Sequence, residues 1–220
     1  MNVAGLESTA WNLLDDNGTS YPEPVLLRAL NEAQRLFCLM TLCLETTTTF
    51  TLTPNTAFYH MRAALTDWIK PRRIWNSNGQ QVRAGTLSDL DAASPTWQTS
   101  SGPPVRYAHL GLDLLALYQQ PAFADTLTIT YAHAPALMVS PTDVPQIQEN
   151  SHFALPNYAA YAVRQAEGAQ EFSKFLGYFG DFLDEAQRVA ALVRAKNKDL
   201  GYEMAPFELE HADRSRLVTA

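Results

Sequence analysis

Pro24–Glu45 reads PVLLRALNEAQRLFCLMTLCLE, and within it Leu26, Leu30, Ala33, Phe37, Met40 and Leu44 advance by alternating steps of four and three. That spacing lays one apolar stripe along one side of an α-helix, because residues three and four apart share a face. A second run far downstream keeps the same rhythm: Phe175, Phe179, Phe182, Ala186, Val189 and Val193. Neither stripe is stable uncovered, and the natural cover for each is the other. The pairing predicts that both ends of the chain associate as helices and that the middle is extruded between them.

Working outward, Val3, Leu6, Ala10 and Leu13 predict a short first helix, ended by the turn chemistry of Asp15-Asp16-Asn17-Gly18. Pro22 and Pro24 open the second helix where a missing N–H costs nothing. It is expected to run to about Glu45 and to stop where Thr46 to Thr49 favour extended chain. The period then falls to two. Phe50 and Leu52 read as a hairpin with Phe58-Tyr59 across a Pro54-Asn55 turn. Ile69–Trp75 and Gln81–Thr86 flank the turn signal Asn76-Ser77-Asn78-Gly79. Leu87–Ala93 is a short helix or turn capped by Ser88, and Ser94–Pro104 is a loop holding Trp97. Val105–Leu110, Leu112–Tyr118 and Thr126–Tyr131 complete a meander or small barrel of about six strands closed by local hairpins. A Pro-studded connector, Pro135–Asn150, returns to a helix with the small-residue face Leu155, Ala159, Ala162, Ala166, capped by Gly168. The last helix spans about Gln170–Lys196, with Gly177 and Gly180 inside it as sites of a kink or a close contact. The expected fold is α+β: an antiparallel four-helix bundle from residues 1–46 and 151–200, an inserted antiparallel β-rich domain over 47–150, and a C-terminal arm over 201–220.

The 46% hydrophobic and 18% charged content is ordinary for a globular protein, and the net charge of −7 argues against gripping nucleic-acid phosphates. No stretch reaches the length of a membrane span, and Met1–Ala10 lacks the regions of a signal peptide. Cys38 and Cys43 on a continuous helix would point roughly 140° apart, so two reduced thiols are expected rather than a disulfide.

The search for chemistry is mostly negative: there is no phosphate loop, zinc spacing or nucleophile elbow. His60, His109, His133, His152 and His211 read as surface or strand-edge residues, with no ligand spacing on one helix. Asp89 and Asp91 fit capping or turn roles better than a cation site. No enzyme activity, cofactor or metal is expected. A carboxylate pair such as Asp181 and Glu185 would serve a hydrolase, but both sit on the polar face of a helix. A carbohydrate- or receptor-binding accessory module, stacking on Trp75 and Trp97, is the main alternative. The sharper segment is Asp67–Arg73, where Trp68, Arg72 and Arg73 surround Pro71. It reads equally as an interface anchor and as a strand with Trp68 in the core. With Trp75 and Trp97 these form the candidate partner interface. The tail offers Phe207, Leu209, Arg214, Arg216 and Leu217 as an arm that docks on a partner.

Several motifs in order resemble head-to-tail adaptor proteins of tailed bacteriophages: Ala29–Arg35, Asp67–Ile74, Ser88–Asp91, Pro95–Trp97, Gly102–Tyr107, Gly111–Asp113, Tyr118–Pro121 and Leu127–Tyr131. The resemblance covers about residues 24 to 195. It implies a structural virion protein at the neck, assembled in the host cytoplasm. It also implies a ring, usually of twelve copies, bound beneath the portal protein and facing tail or nozzle proteins. Genomic DNA would pass through the lumen without sequence-specific contact. The C-terminal arm in such proteins commonly reaches the portal.

Overall fold

The computed structural model describes residues 1–167 and 172–199. The chain divides into two compact units: the contiguous run Leu44–Ala134, and Met1–Cys43 joined by the described residues from Pro135 onward. Six α-helices and seven strands lie among the described residues, making an α+β chain.

In the discontinuous unit, α1 (Val3–Leu14) is capped by Asn2, whose side chain accepts from the Gly5 N–H at 3.1 Å. It buries Val3, Leu6, Ala10 and Leu14, so Leu14 rather than Leu13 completes the stripe. The turn that follows is organised by Asp16, whose carboxylate accepts from the backbone N–H groups of Gly18, Ser20 and Tyr21. Helix α2 (Glu23–Thr41) starts behind Pro22 and buries Leu26, Leu30, Ala33 and Phe37. It stops short of the expected Glu45 because Leu42 turns left-handed (φ 53°) and donates its N–H to Cys38 O. Met40 and Leu44 are consequently only half-buried. The same turn brings the Cys43 thiol into a hydrogen bond with Cys38, against the divergence that a continuous helix would impose.

Helices α3 (Met61–Ala64) and α4 (Leu87–Ala93) belong to the contiguous unit; α5 (Ala154–Glu167) and α6 (Phe172–Asp199) return to the first. The two long stripes meet at Phe37 and Phe182, ring centroids 6.0 Å apart. Much of their cover comes instead from α5, which packs on α1, α2 and α6. Its buried face is Leu155, Tyr158, Ala159 and Val163 rather than the Ala162 and Ala166 side. Tyr158 sits 5.0 Å from Phe182 and donates its hydroxyl to Glu32 at 2.9 Å. Arg164 lies over the rings of Tyr21 and Phe175, 5.2 Å from each. Full burial of a side chain such as Phe182 is worth about 1.5–3 kcal/mol, so these contacts dominate the unit. Gly168 lies outside the described residues.

The connector before α5 is strapped to α2. Asn31 donates to Met138 O (2.9 Å) and accepts from Met138 N–H (2.8 Å). One turn on, Gln34 donates to Ala136 O (3.2 Å) and accepts from Gln146 N–H (2.8 Å). The connector also caps α1, since Val3 and Ala4 donate their N–H groups to Asp143 O and Pro141 O.

The contiguous unit is a curled, mixed sheet. Its strands are β1 (Glu45–Leu52), β2 (Phe58–His60), β3 (Trp68–Asn76), β4 (Gln81–Gly85), β5 (Arg106–Leu110), β6 (Leu114–Tyr118) and β7 (Asp125–His133), in the order β1-β7-β3-β4-β5-β6-β2. The expected antiparallel domain is corrected at one pair: β4 runs parallel to β5, because α4 and the Trp97–Thr99 turn form a crossover between them. The expected β1–β2 hairpin is also absent. The two strands take opposite ends of the sheet, and curling brings Phe50 of one to Tyr59 of the other at 5.6 Å. The β3–β4 hairpin is as read. Helix α4 is capped by Thr86, not Ser88, through a box in which Thr86 accepts from Asp89 N–H and Asp89 accepts from Thr86 N–H. The core gathers Trp68, Ile74, Leu115, Leu117, Leu127, Ile129 and Tyr131. A second cluster forms around Trp97 and Leu90.

Candidate partner-binding surfaces

The candidate interface residues separate by burial once β3 is in place. Trp68 is 1% exposed, stacked on Tyr131 at 5.1 Å and edge-on to His109 at 6.0 Å. It is a core residue. Trp97 is equally buried and donates its indole N–H to Asp91 at 2.8 Å. A ring enclosed in this way offers no stacking platform to a sugar. Arg72 is buried, with its Nε 3.2 Å from Glu45 Oε1 at the start of β1. Arg73 and Trp75 are the half-exposed members, the Arg73 guanidinium lying over the Trp75 ring at 5.8 Å. Phe207, Leu209, Arg214, Arg216 and Leu217 lie outside the described residues.

Bulges between Trp68 and Lys70 and between Pro71 and Arg73 interrupt the strand and set Pro71 on the same face as Trp68 and Ile74. Pro71 has no N–H to give the ladder, so the strand slips there and exchanges which side chains face inward. Beside it, burial first and Arg72 second depress the Lys70 ammonium pKa. Burial and then Lys70 depress that of His109.

Trp75 and Arg73 border an uncharged surface. The register sets Thr47 against Thr130, Thr49 against Thr128 and Thr51 against Thr126, with Arg73 and Trp75 continuing the first two rows on β3. The Thr47 and Thr130 hydroxyls lie 2.9 Å apart. The sequence reading missed this face because the threonines of β7 and β1 are remote in the chain.

It missed a second surface too. The connector strap turns Met138 inward and leaves Leu137 and Val139 exposed at 73% and 77%. Val144 joins them at 58%. The amides of Asn31 and Gln34 bond the main chain on either side of these aliphatics, and a Pro-studded stretch gives no periodic signal of it.

The groups considered for catalysis have structural work. Glu185 is buried and accepts from Ser151 Oγ at 2.7 Å and Arg188 Nε at 2.7 Å. Arg188 first, then Ser151, hold its carboxyl below the usual range against the opposing effect of burial. Asp181, four residues before it, is exposed. His152 is buried rather than superficial, its Nε2–H donating to Ile147 O and its Nδ1 facing the Met1 amine. Among the described residues no group of three or more His, Cys, Asp or Glu is placed to hold a metal ion. No described helix is long and apolar enough to cross a membrane.

Charge is divided unequally between the units. Leu44–Ala134 holds six Lys or Arg against six Asp or Glu, so the net charge of −7 resides in the rest of the chain. No curated protein matches the chain. The family model for the SU10 adaptor protein matches residues 1–199, spanning both units from α1 to the end of α6. The chain therefore belongs to the SU10 adaptor protein family, a family of bacteriophage adaptor proteins.

Proposed function

We propose that this chain is a head-to-tail adaptor in the virion neck, where twelve copies form a ring beneath the portal protein and present a surface to tail or nozzle proteins. The family match over residues 1–199 carries the reading. In it, the helical unit is an antiparallel four-helix bundle that keeps its stripes for its own core. Contacts with other chains then fall to the sheet unit, including Arg73 and Trp75, and to the arm over residues 201–220. The work is geometric rather than catalytic. Heterologous contacts close a ring, and an acidic lumen repels the passing DNA so that it slides without specific binding. The unequal charge of the two units supports this, because it gives the helical unit the repulsive character a DNA channel requires. The test is to mix the purified chain with its portal protein and weigh the product by native mass spectrometry. A ring of copies on the portal is expected. A chain that stays monomeric in the presence of portal overturns the proposal.

A further inference from the structure

We infer that the free edge of β1 is a main-chain docking site for a second copy of this chain. The inference rests on the ring reading and adds the surface through which neighbours join. β1 ends the sheet order and has β7 on one side only. The bond from His133 N–H to Leu44 O sets the phase of that ladder. Main-chain groups alternate along an antiparallel pair, so Thr46, Thr48 and Phe50 turn toward β7. Glu45, Thr47, Thr49 and Thr51 turn their N–H and C=O groups outward. Among the described residues no main-chain group meets them there.

Sheet edges that stay solitary are short or blunted by Lys, Pro or a bulge. β2, at the other end, is three residues long. β1 is eight residues long, and it pairs with β7 in unbroken register. From Thr46 to Leu52 it contains no charge, Pro or Gly. An uncharged, β-branched run of this kind is the signature of a segment that pairs with another chain. Its one charged residue, Glu45, is engaged by Arg72.

Charge identifies the occupant. Copies of one chain carry the same charge, and helical units that are net negative repel each other. The sheet unit balances six cations against six anions, and β1 from Thr46 to Leu52 is uncharged, so a neighbouring copy can seat a strand along it without repulsion. One added strand buries less than the roughly 1,200 Å² of a stable free complex. The contact therefore completes only where copies are held side by side.

The experiment compares hydrogen exchange of the full chain, alone and assembled on portal rings, and repeats the assembly with Thr47→Lys/Thr49→Lys and with Thr49→Pro. The first variant places charge along the edge. The second removes one outward N–H while leaving the β7 ladder bonded, and the first still serves should the proline prevent folding. Exchange at Thr47 and Thr49 is expected to slow about tenfold or more on assembly, and the variants are expected to bind portal but leave its ring incomplete. A complete wild-type ring with unchanged exchange at these amides, or complete rings from the lysine variant, overturns the inference and leaves the adaptor reading standing. If the wild type does not bind portal, the adaptor reading falls and the edge is judged by NMR of the chain up to about 1 mM. Concentration-dependent shifts confined to β1 and absent from the lysine variant then support the edge, and their absence from the wild type overturns it.

Discussion

Ser151 donates its hydroxyl to Glu185 at 2.7 Å, tying the turn before α5 to the middle of α6. Both residues are buried. The Glu185 carboxyl titrates below the ordinary range of a glutamate in the folded chain. Its contribution to stability is therefore fully present above the unfolded value and is lost as pH falls through the folded one. Ser151→Ala is expected to cost about 1–2 kcal/mol near neutral pH in urea titrations, with the cost shrinking below about pH 4. An equal cost at both pH values would show that the hydroxyl does not serve the ionised carboxylate.

Asn31 satisfies both main-chain groups of Met138. Asn31→Ala strands that N–H and C=O beside α2 and is expected to cost about 2 kcal/mol. Limited proteolysis between Ala136 and Gln146 is expected to quicken. Unchanged cleavage in a destabilised variant would mean that the strap is held by Gln34 alone.

Gly177 lies inside α6, and a Cβ built on it meets nothing within 4 Å. The expected close contact is therefore not at this residue. Gly177→Ala removes backbone freedom from the unfolded chain at no steric cost and is expected to add about 0.5–1 kcal/mol. Thermal unfolding should show a Tm higher by about 1–4 °C. A lower Tm would refute the argument.

The hydrogen bond with Cys38, then that with Thr41, overcome burial and pull the Cys43 thiol down to about 7, while the same pairing and burial push Cys38 up. Alkylation by iodoacetamide, followed by peptide mass spectrometry, is expected to modify Cys43 first, with a rate that climbs through neutral pH as the thiolate forms. Preferential labelling of Cys38 would reverse the assignment.

The helices were legible because their order is local. The 4-3 rhythm of Leu26, Leu30, Ala33 and Phe37 is a property of one helix face, and all four are buried. The end of that helix was not, because a non-glycine residue such as Leu42 rarely adopts positive φ. In the sheet, alternation marked Thr126–Tyr131 as a strand, yet nothing in it names β1 and β3 as its neighbours. Pairing is set by long-range packing, which period two does not encode. Trp68 shows the same limit at the candidate site: a tryptophan beside arginines suits a core and an interface alike, and only its packing against Tyr131 and His109 places this one inside.

The caps that Asp143 and Pro141 supply to Val3 and Ala4 join the first turn of the chain to residues almost 140 positions downstream. During synthesis α1 and α2 leave the ribosome long before their partners exist. Leu44–Ala134 is contiguous and has its complete sheet as soon as His133 emerges. Vectorial synthesis thus favours a folding order in which the insert closes before α5 arrives. The contacts of highest sequence separation form last, and the amphipathic α2 stays exposed in the interval.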